Sequence, residues 1–332
     1  MFKKSACLLL LRLKKEAKKF EILMVKRSNV GSFKSAYVFP GGGIEKVDSL
    51  ISWYDLDLGL QLKKDDLTTD FLPYELAAVR ETFEETGILC TETKDTFIDT
   101  KAYEIERKKV LANSLYFYDL IKTQALGKLN LTNLKFIASW LTPKHYPKRF
   151  LTNYYLSILT SHSIPPTSDN LEIQETRWVD IKELIDSYEN DNKNKILLFP
   201  PQYYLLCELN KFSYEGIIDW YQKFPNHHDY LLRDSNNPDF TTTPWVSCYC
   251  PLRVGSEQIG KDRREMMSLS GEVKPDEMTH GFNAYFKNGN KGLGMDGIKL
   301  IKKGVKNEFN GVKNPFSCLN ENNISDSNKH KL

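Results

Sequence analysis

Three features of the sequence predict an α+β fold. Two short apolar runs, at 6–13 and 20–26, stand on either side of the charged stretch 14–19, the pattern of two strands joined by a turn. One unbroken helical stretch follows Pro73 and runs from Tyr74 to Thr86, with proline suited to a first helical turn and Gly87 suited to the left-handed position past the last. Strand-like and helix-like segments then follow one another through the middle of the chain.

The composition fixes the class. With 332 residues, 41% of them hydrophobic and 27% charged, the chain has apolar material for one large or two ordinary domains, which excludes global disorder. Forty-six Lys and Arg against 43 Asp and Glu leave +3, too balanced for nonspecific nucleic-acid binding, so no nucleic-acid partner is expected. The six cysteines include no C-x-x-C pair, which predicts neither a structural zinc site nor a disulfide framework. No run reaches the roughly 18 apolar residues of a membrane span. Near the N-terminus, Arg12 interrupts the apolar run after Leu11, and Lys14 and Lys15 stand where small cleavage-site residues belong. These residues predict a buried strand rather than a targeting segment.

In chain order, Pro40-Gly41-Gly42-Gly43 breaks regular structure after the first strands, and the Asp-rich stretch 46–71 reads as an insertion. Beyond the helix, strands are expected at 111–120, 135–141, 154–159 and 176–179, and helices at 181–188, 201–212 and 214–224. After about Pro225 the composition turns toward Asn, Gly, Asp and Thr, with Trp245, Cys248, Tyr249 and Cys250 hinting at strands. The expected organisation is a domain over 1–224, an extension over 225–316 and a polar tail over 317–332.

The helix carries the chemistry. At about 100° per residue from Leu76, Val79 and Phe83 return to the same face and point to a core, while Glu81, Glu84 and Glu85 gather on the other side beside Ala77 and Ala78. Like charges at i, i+3 and i+4 repel, and Arg80 is the cation placed to pair with Glu84. A hard divalent cation, Mg²⁺ or Mn²⁺, fits such a cluster. A solvated acidic helix face fits the spacing as well.

Arg80-Glu81-Thr82-Phe83-Glu84-Glu85-Thr86-Gly87-Ile88, taken with Phe39-Pro40-Gly41-Gly42, resembles a Nudix box, G-x5-E-x7-R-E-U-x-E-E-x-G-U, in which U is aliphatic. Thr82 occupies a U position. Thirty-seven residues separate Gly42 from Arg80 where the pattern has thirteen, the Glu place eight before Arg80 holds Leu72, and Glu45 and Glu75 flank the gap. A box interrupted in this way is similar to that of the peroxisomal acyl-CoA diphosphatase branch of the Nudix family. So are Arg27-Ser28, Phe33 and the run from Ala36 to Gly42, as well as Trp140-Leu141-Thr142-Pro143, Arg149-Phe150, Tyr154-Tyr155-Leu156 and Pro200-Pro201-Gln202-Tyr203-Tyr204.

The resemblance implies a mixed β-sheet between helices and a metal-dependent diphosphatase. Mg²⁺ or Mn²⁺ would lie on Glu81, Glu84, Glu85 and the Gly42 carbonyl, Glu81 and Glu84 would be catalytic, and Arg80 would orient the glutamates. Arg27, Arg149 and Glu175 would contact substrate. For Arg149 a substrate phosphate and an internal carboxylate serve equally. Glu172 and Glu175 are candidates for a further carboxylate or are plain surface acids, and Trp140, Tyr154 and Tyr155 are core aromatics or ligand contacts. The implied substrates are coenzyme A and acyl-CoA, cut to 3′,5′-ADP and (acyl)phosphopantetheine. Rival readings are hydrolysis of another diphosphate (ADP-ribose, a dinucleotide, an RNA cap) and a Nudix-shaped binding module without catalysis. His330-Lys331-Leu332 echoes a peroxisomal address read by an import receptor; a chance basic tail, with a cytoplasmic location, is the alternative.

Overall fold

The two opening apolar runs form a hairpin. β1 (Lys3–Lys14) and β2 (Lys19–Arg27) pair antiparallel, with Leu11 opposite Ile22. In the computed structural model the described residues are 2–28, 35–60, 71–92, 100–142, 148–159, 166–168, 172–190 and 196–223, together with five strands beyond 247. Phe33, Pro143, Trp245, Cys250, the tail 317–332 with His330-Lys331-Leu332, and residues 61–70 of the insertion lie outside them.

After β2 come β3 (Tyr37–Val38), β4 (Gly41–Gly43), α1 (Leu72–Thr86), β5 (Thr91–Glu92), α2 (Thr100–Ala112) and α3 (Tyr116–Thr123). Next are β6 (Lys128–Leu129), β7 (Lys135–Leu141), β8 (Phe150–Leu159), β9 (Ile173–Asp180), α4 (Ile181–Asn190), α5 (Pro200–Leu209) and α6 (Tyr214–Lys223). The main sheet has the order β10-β7-β8-β1-β2-β3, where β10 is Cys248–Tyr249; β4 is added against β1 and β9 against β2. It is mixed, because β1 runs parallel to β8, and β7 to β10, while the other pairs are antiparallel. A small ladder joins β5 to β6, and β11 (Leu252–Ile259), β12 (Asp262–Ser268), β13 (His280–Phe286) and β14 (Gly297–Lys302) form an antiparallel meander.

Helices cover both faces of the main sheet, which is why residues 6–11 read as a continuous apolar run rather than an alternating one. Leu9 and Leu11 pack on one face with Leu184 of α4, Leu205 of α5 and Trp220 of α6. Ala6, Leu8 and Leu10 pack on the other face with Leu76 and Val79 of α1, Tyr103 of α2 and Phe117 of α3. This is the sandwich of sheet between helices that the resemblance implies.

One expectation fails. The segment 111–120 is not a strand: α2 ends at Ala112, a turn follows, and α3 begins at Tyr116. Its buried residues Phe117, Leu120 and Ile121 stand at i, i+3 and i+4, a helical spacing that the density of aromatic and aliphatic residues masks.

The sheet is divided where the site lies. β8 occupies one edge of β1 from Lys3 to Arg12, so β2 and β4 share the other edge, β2 at Leu11–Lys14 and β4 at Ser5–Cys7. Between these partners the sheet opens, and α1 runs beneath the opening. The helix ends on Gly87 at φ 74°, whose N–H donates to the Phe83 carbonyl. Gly87→Ala forces a side chain into that left-handed conformation and is expected to lower unfolding free energy by about 1–2 kcal/mol in urea titration.

Candidate active site

α1 lies close to the sheet because Ala77 and Ala78 are fully buried, so these two residues allow close packing rather than leaving an open face. Arg80, on the same helix, has no exposed surface. Its guanidinium is matched donor by donor. Nε donates to Asp48 Oδ1 at 2.9 Å, Nη2 to Asp48 Oδ2 at 2.9 Å and to the Gly43 carbonyl at 3.0 Å, and Nη1 to Glu84 Oε1 at 3.1 Å. Glu81 Oε1 also lies 3.1 Å from Nη1. Burial opposes the charge, yet Asp48, Glu81 and Glu84 hold the pKa of Arg80 above its ordinary value.

Asp48 is the residue that sequence reasoning missed. It sits in a 3₁₀ turn, Val47–Ser49, and accepts the Glu45 N–H at 2.8 Å. The turn is anchored by Trp53, whose Nε1 donates to the Val47 carbonyl at 2.6 Å and whose fully buried ring meets Phe117 and Tyr118 of α3 at 5.9 and 4.9 Å between centroids. Neither residue flanking the gap does this work: Glu45 is exposed and accepts from Ser114 Oγ, while Glu75 is buried in the layer beneath the sheet. Leu72 opens α1 about 12 Å along the axis from Arg80, so a carboxylate there would lie two turns away. The signal was present in the sequence. Counting forward from Gly42 rather than back from Arg80, Asp48 falls on the pattern's Glu place, so the extra residues begin after Asp48 and not at 46.

The glycines bring backbone against the carboxylates. Glu85 Oε2 accepts the Gly41 N–H at 2.9 Å, and Gly41 has φ 155° with the Ala6 carbonyl where a Cβ would go, at 2.3 Å. A Cβ on Gly42 would lie 2.4 Å from the Glu81 carboxyl carbon. Gly42→Ala therefore displaces Glu81 and is expected to reduce turnover about 10- to 100-fold, with a melting temperature close to wild type, as measured by steady-state kinetics and thermal denaturation.

Burial pushes the Glu81 carboxyl up to about 8, with Arg80 opposing and the Glu84 charge adding; burial likewise raises Glu84 against the pull of Arg80. Arg27, from the end of β2, places Nη1 3.9 Å from Glu85 Oε1 and donates from Nη2 to Glu172 Oε2 at 3.1 Å. Asp48, Glu81, Glu84 and Glu85 thus outnumber the guanidiniums beside them, and Arg27 is shared with Glu172. That excess of negative charge, with carboxylate and carbonyl oxygen as donors, fits Mg²⁺ or Mn²⁺. Among the described residues no three His, Cys, Asp or Glu side chains close a metal cage by themselves. Mg²⁺ does not need one, since it binds through one or two carboxylates and retains waters.

The remaining expectations divide. The Nε of Arg27 has no hydrogen-bond partner among the described residues, which suits an anion contact. Arg149 donates from its Nε to the Thr142 carbonyl at 2.8 Å. Glu175 accepts from Tyr37 Oη at 3.0 Å and pairs with Arg177 at 3.5 Å. Glu172 shares Arg27 with Glu85. Trp140, Tyr154 and Tyr155 are core aromatics, all nearly or fully buried. Arg107 of α2 is a second residue without a sequence signal: its Nε donates to the Glu84 carbonyl at 2.8 Å and holds the last turn of α1.

Residues 60–209 match the family described as NUDT19 Nudix domain. The chain is 29% identical over 236 residues to the acyl-coenzyme A diphosphatase NUDT19 of Xenopus laevis, covering 58% of this chain and 60% of that protein. It is 29% identical over 202 residues to the putative nudix hydrolase 7 of Caenorhabditis elegans, covering 60% and 57%. The chain thus spans about three fifths of the length of these curated relatives. A crystal structure of a NUDIX hydrolase from Alicyclobacillus acidocaldarius superposes with a TM-score of 0.54 at 19% identity, over 68% of this chain and 97% of that one, which establishes the shared fold.

Proposed function

We propose, from the premise that this chain is a NUDT19-like Nudix hydrolase, that it hydrolyses the diphosphate of coenzyme A and acyl-CoA to 3′,5′-ADP and (acyl)phosphopantetheine. The observation that carries the reading is the buried Arg80, locked by Asp48 and holding Glu81 and Glu84 at the opening of the sheet. Support for the substrate comes from the relatives in Xenopus laevis and Gallus gallus, both named acyl-coenzyme A diphosphatase NUDT19.

Glu81, Glu84, Glu85 and the Gly42 carbonyl are the groups that would hold Mg²⁺ or Mn²⁺. Such a cation supplies neutralisation of phosphate oxygens and a more acidic bound water. The chain's own residues do the rest. Arg80 fixes the rotamers of Glu81 and Glu84, and the Gly41 N–H fixes that of Glu85. A box glutamate, or Glu172 beside Arg27, takes the proton of the attacking water. The buried Nε–H of Arg27 donates to a phosphate oxygen.

Incubation with CoA and Mg²⁺ followed by mass spectrometry tests the proposal, with 3′,5′-ADP and phosphopantetheine as expected products. Turnover of ADP-ribose, a dinucleotide or capped RNA in place of CoA would reassign the substrate. No Mg²⁺-dependent turnover of any diphosphate would remove catalysis.

A further inference from the structure

Glu84 and Glu85 sit on the last turn of α1, and the helix does not complete that turn's hydrogen bonds by itself. A continued helix would supply the Glu84 carbonyl with the Ile88 N–H. That N–H donates instead to Thr86 Oγ1 at 3.2 Å, while the same hydroxyl donates back to the Thr82 carbonyl at 2.6 Å. The Gly87 N–H closes the Phe83 carbonyl. The Glu84 and Thr86 carbonyls take their donors from elsewhere in the chain.

Arg107 of α2 supplies the first, through Nε at 2.8 Å, and the Thr167 N–H supplies the second, at 3.0 Å. The two donors are joined to each other, because Arg107 Nη1 donates to Thr167 Oγ1 at 2.8 Å. They meet over Gly87, where a Cβ would lie 3.4 Å from both Arg107 Nη1 and Thr167 Oγ1. Arg107 is buried, so its planar fork is held in one orientation with its charge at the negative end of α1. Thr167 is exposed and belongs to the connection between β8 and β9. Further along that connection Glu172 takes Arg27, whose other amino group lies beside Glu85. Arg80 and the Gly41 N–H fix the carboxyl groups of Glu84 and Glu85, whereas Arg107 and Thr167 fix the main chain that carries them.

We propose that Arg107 and Thr167 are positioning residues that set the last turn of α1 so that Glu84 and Glu85 grip the divalent cation together. The inference rests on the metal-dependent reading above. It adds that cation affinity is governed from the β8–β9 connection, far from the box in sequence, through a guanidinium that contacts neither cation nor substrate.

Manganese titration of the full chain, followed by electron paramagnetic resonance of the free ion, tests this without requiring turnover. Thr167→Val keeps the N–H and the side-chain shape but removes the acceptor of Arg107 Nη1. Arg107→Lys keeps the charge but loses the fork that reaches the Glu84 carbonyl and Thr167 at once. Each is expected to weaken Mn²⁺ binding by about tenfold, and Thr167→Ser, which restores the hydroxyl, should bind as wild type does. Hydrogen exchange should quicken in the last turn of α1 in Thr167→Val. A purely structural role would lower the melting temperature and leave the Mn²⁺ affinity of the folded protein intact. Unchanged affinity in both variants, or a loss in Thr167→Ser equal to that in Thr167→Val, overturns the inference alone. A wild-type protein that binds no Mn²⁺ overturns the inference together with the metal site. Affinity lost on substitution in a protein that fails to cleave CoA supports the positioning role while contradicting the proposed hydrolysis.

Discussion

Asp48→Asn is expected to destabilise the protein by about 3–5 kcal/mol in urea unfolding, because it leaves the guanidinium of Arg80 in a site with no exposed surface and without its bidentate partner. The same substitution should reduce turnover, since Arg80 is what aligns Glu81 and Glu84. The two effects can be separated. Asp48→Leu combined with Arg80→Met replaces a buried ion pair by apolar groups and should recover most of the lost stability, as such replacements do elsewhere. Activity should stay low. Full recovery of both would mean that the pair only stabilises the fold.

Glu84→Gln and Glu81→Gln are expected to act in the opposite way on the two properties. Each replaces a carboxyl whose charged form burial disfavours with a neutral amide, so the melting temperature should hold or rise. Turnover should fall by about 10²–10⁴, the range for loss of a group that moves a proton in the transition state. Steady-state kinetics on the folded variants decide it, and wild-type rates in both would leave the box glutamates without a catalytic role.

The parts of the fold written in local sequence were readable. α1 is bounded by Pro73 and Gly87, and both boundaries act through backbone geometry that no neighbour can override. β1 and β2 were readable because a charged turn separates two apolar runs. The segment 111–120 was misread because Tyr116, Phe117 and Tyr118 favour strands in isolation, whereas burial of Phe117, Leu120 and Ile121 under the sheet selects the helix.

The site divides along the same line. Glu81, Glu84, Glu85 and Arg80 share one helix, and their spacing alone brings them together. Asp48 reaches Arg80 only through tertiary packing, by a turn that Trp53 pins against α3. Arg107 acts across from another helix on a backbone carbonyl, a contact that leaves no pattern in sequence.

Anomalous diffraction from crystals grown with Mn²⁺ and a non-hydrolysable diphosphate tests the central claim most directly. The account predicts manganese bound by carboxylate oxygens of the box glutamates beside the Gly42 carbonyl, with Asp48 still engaged on Arg80. Manganese bound elsewhere, or no peak at the opening of the sheet while the diphosphate is held there, would contradict it.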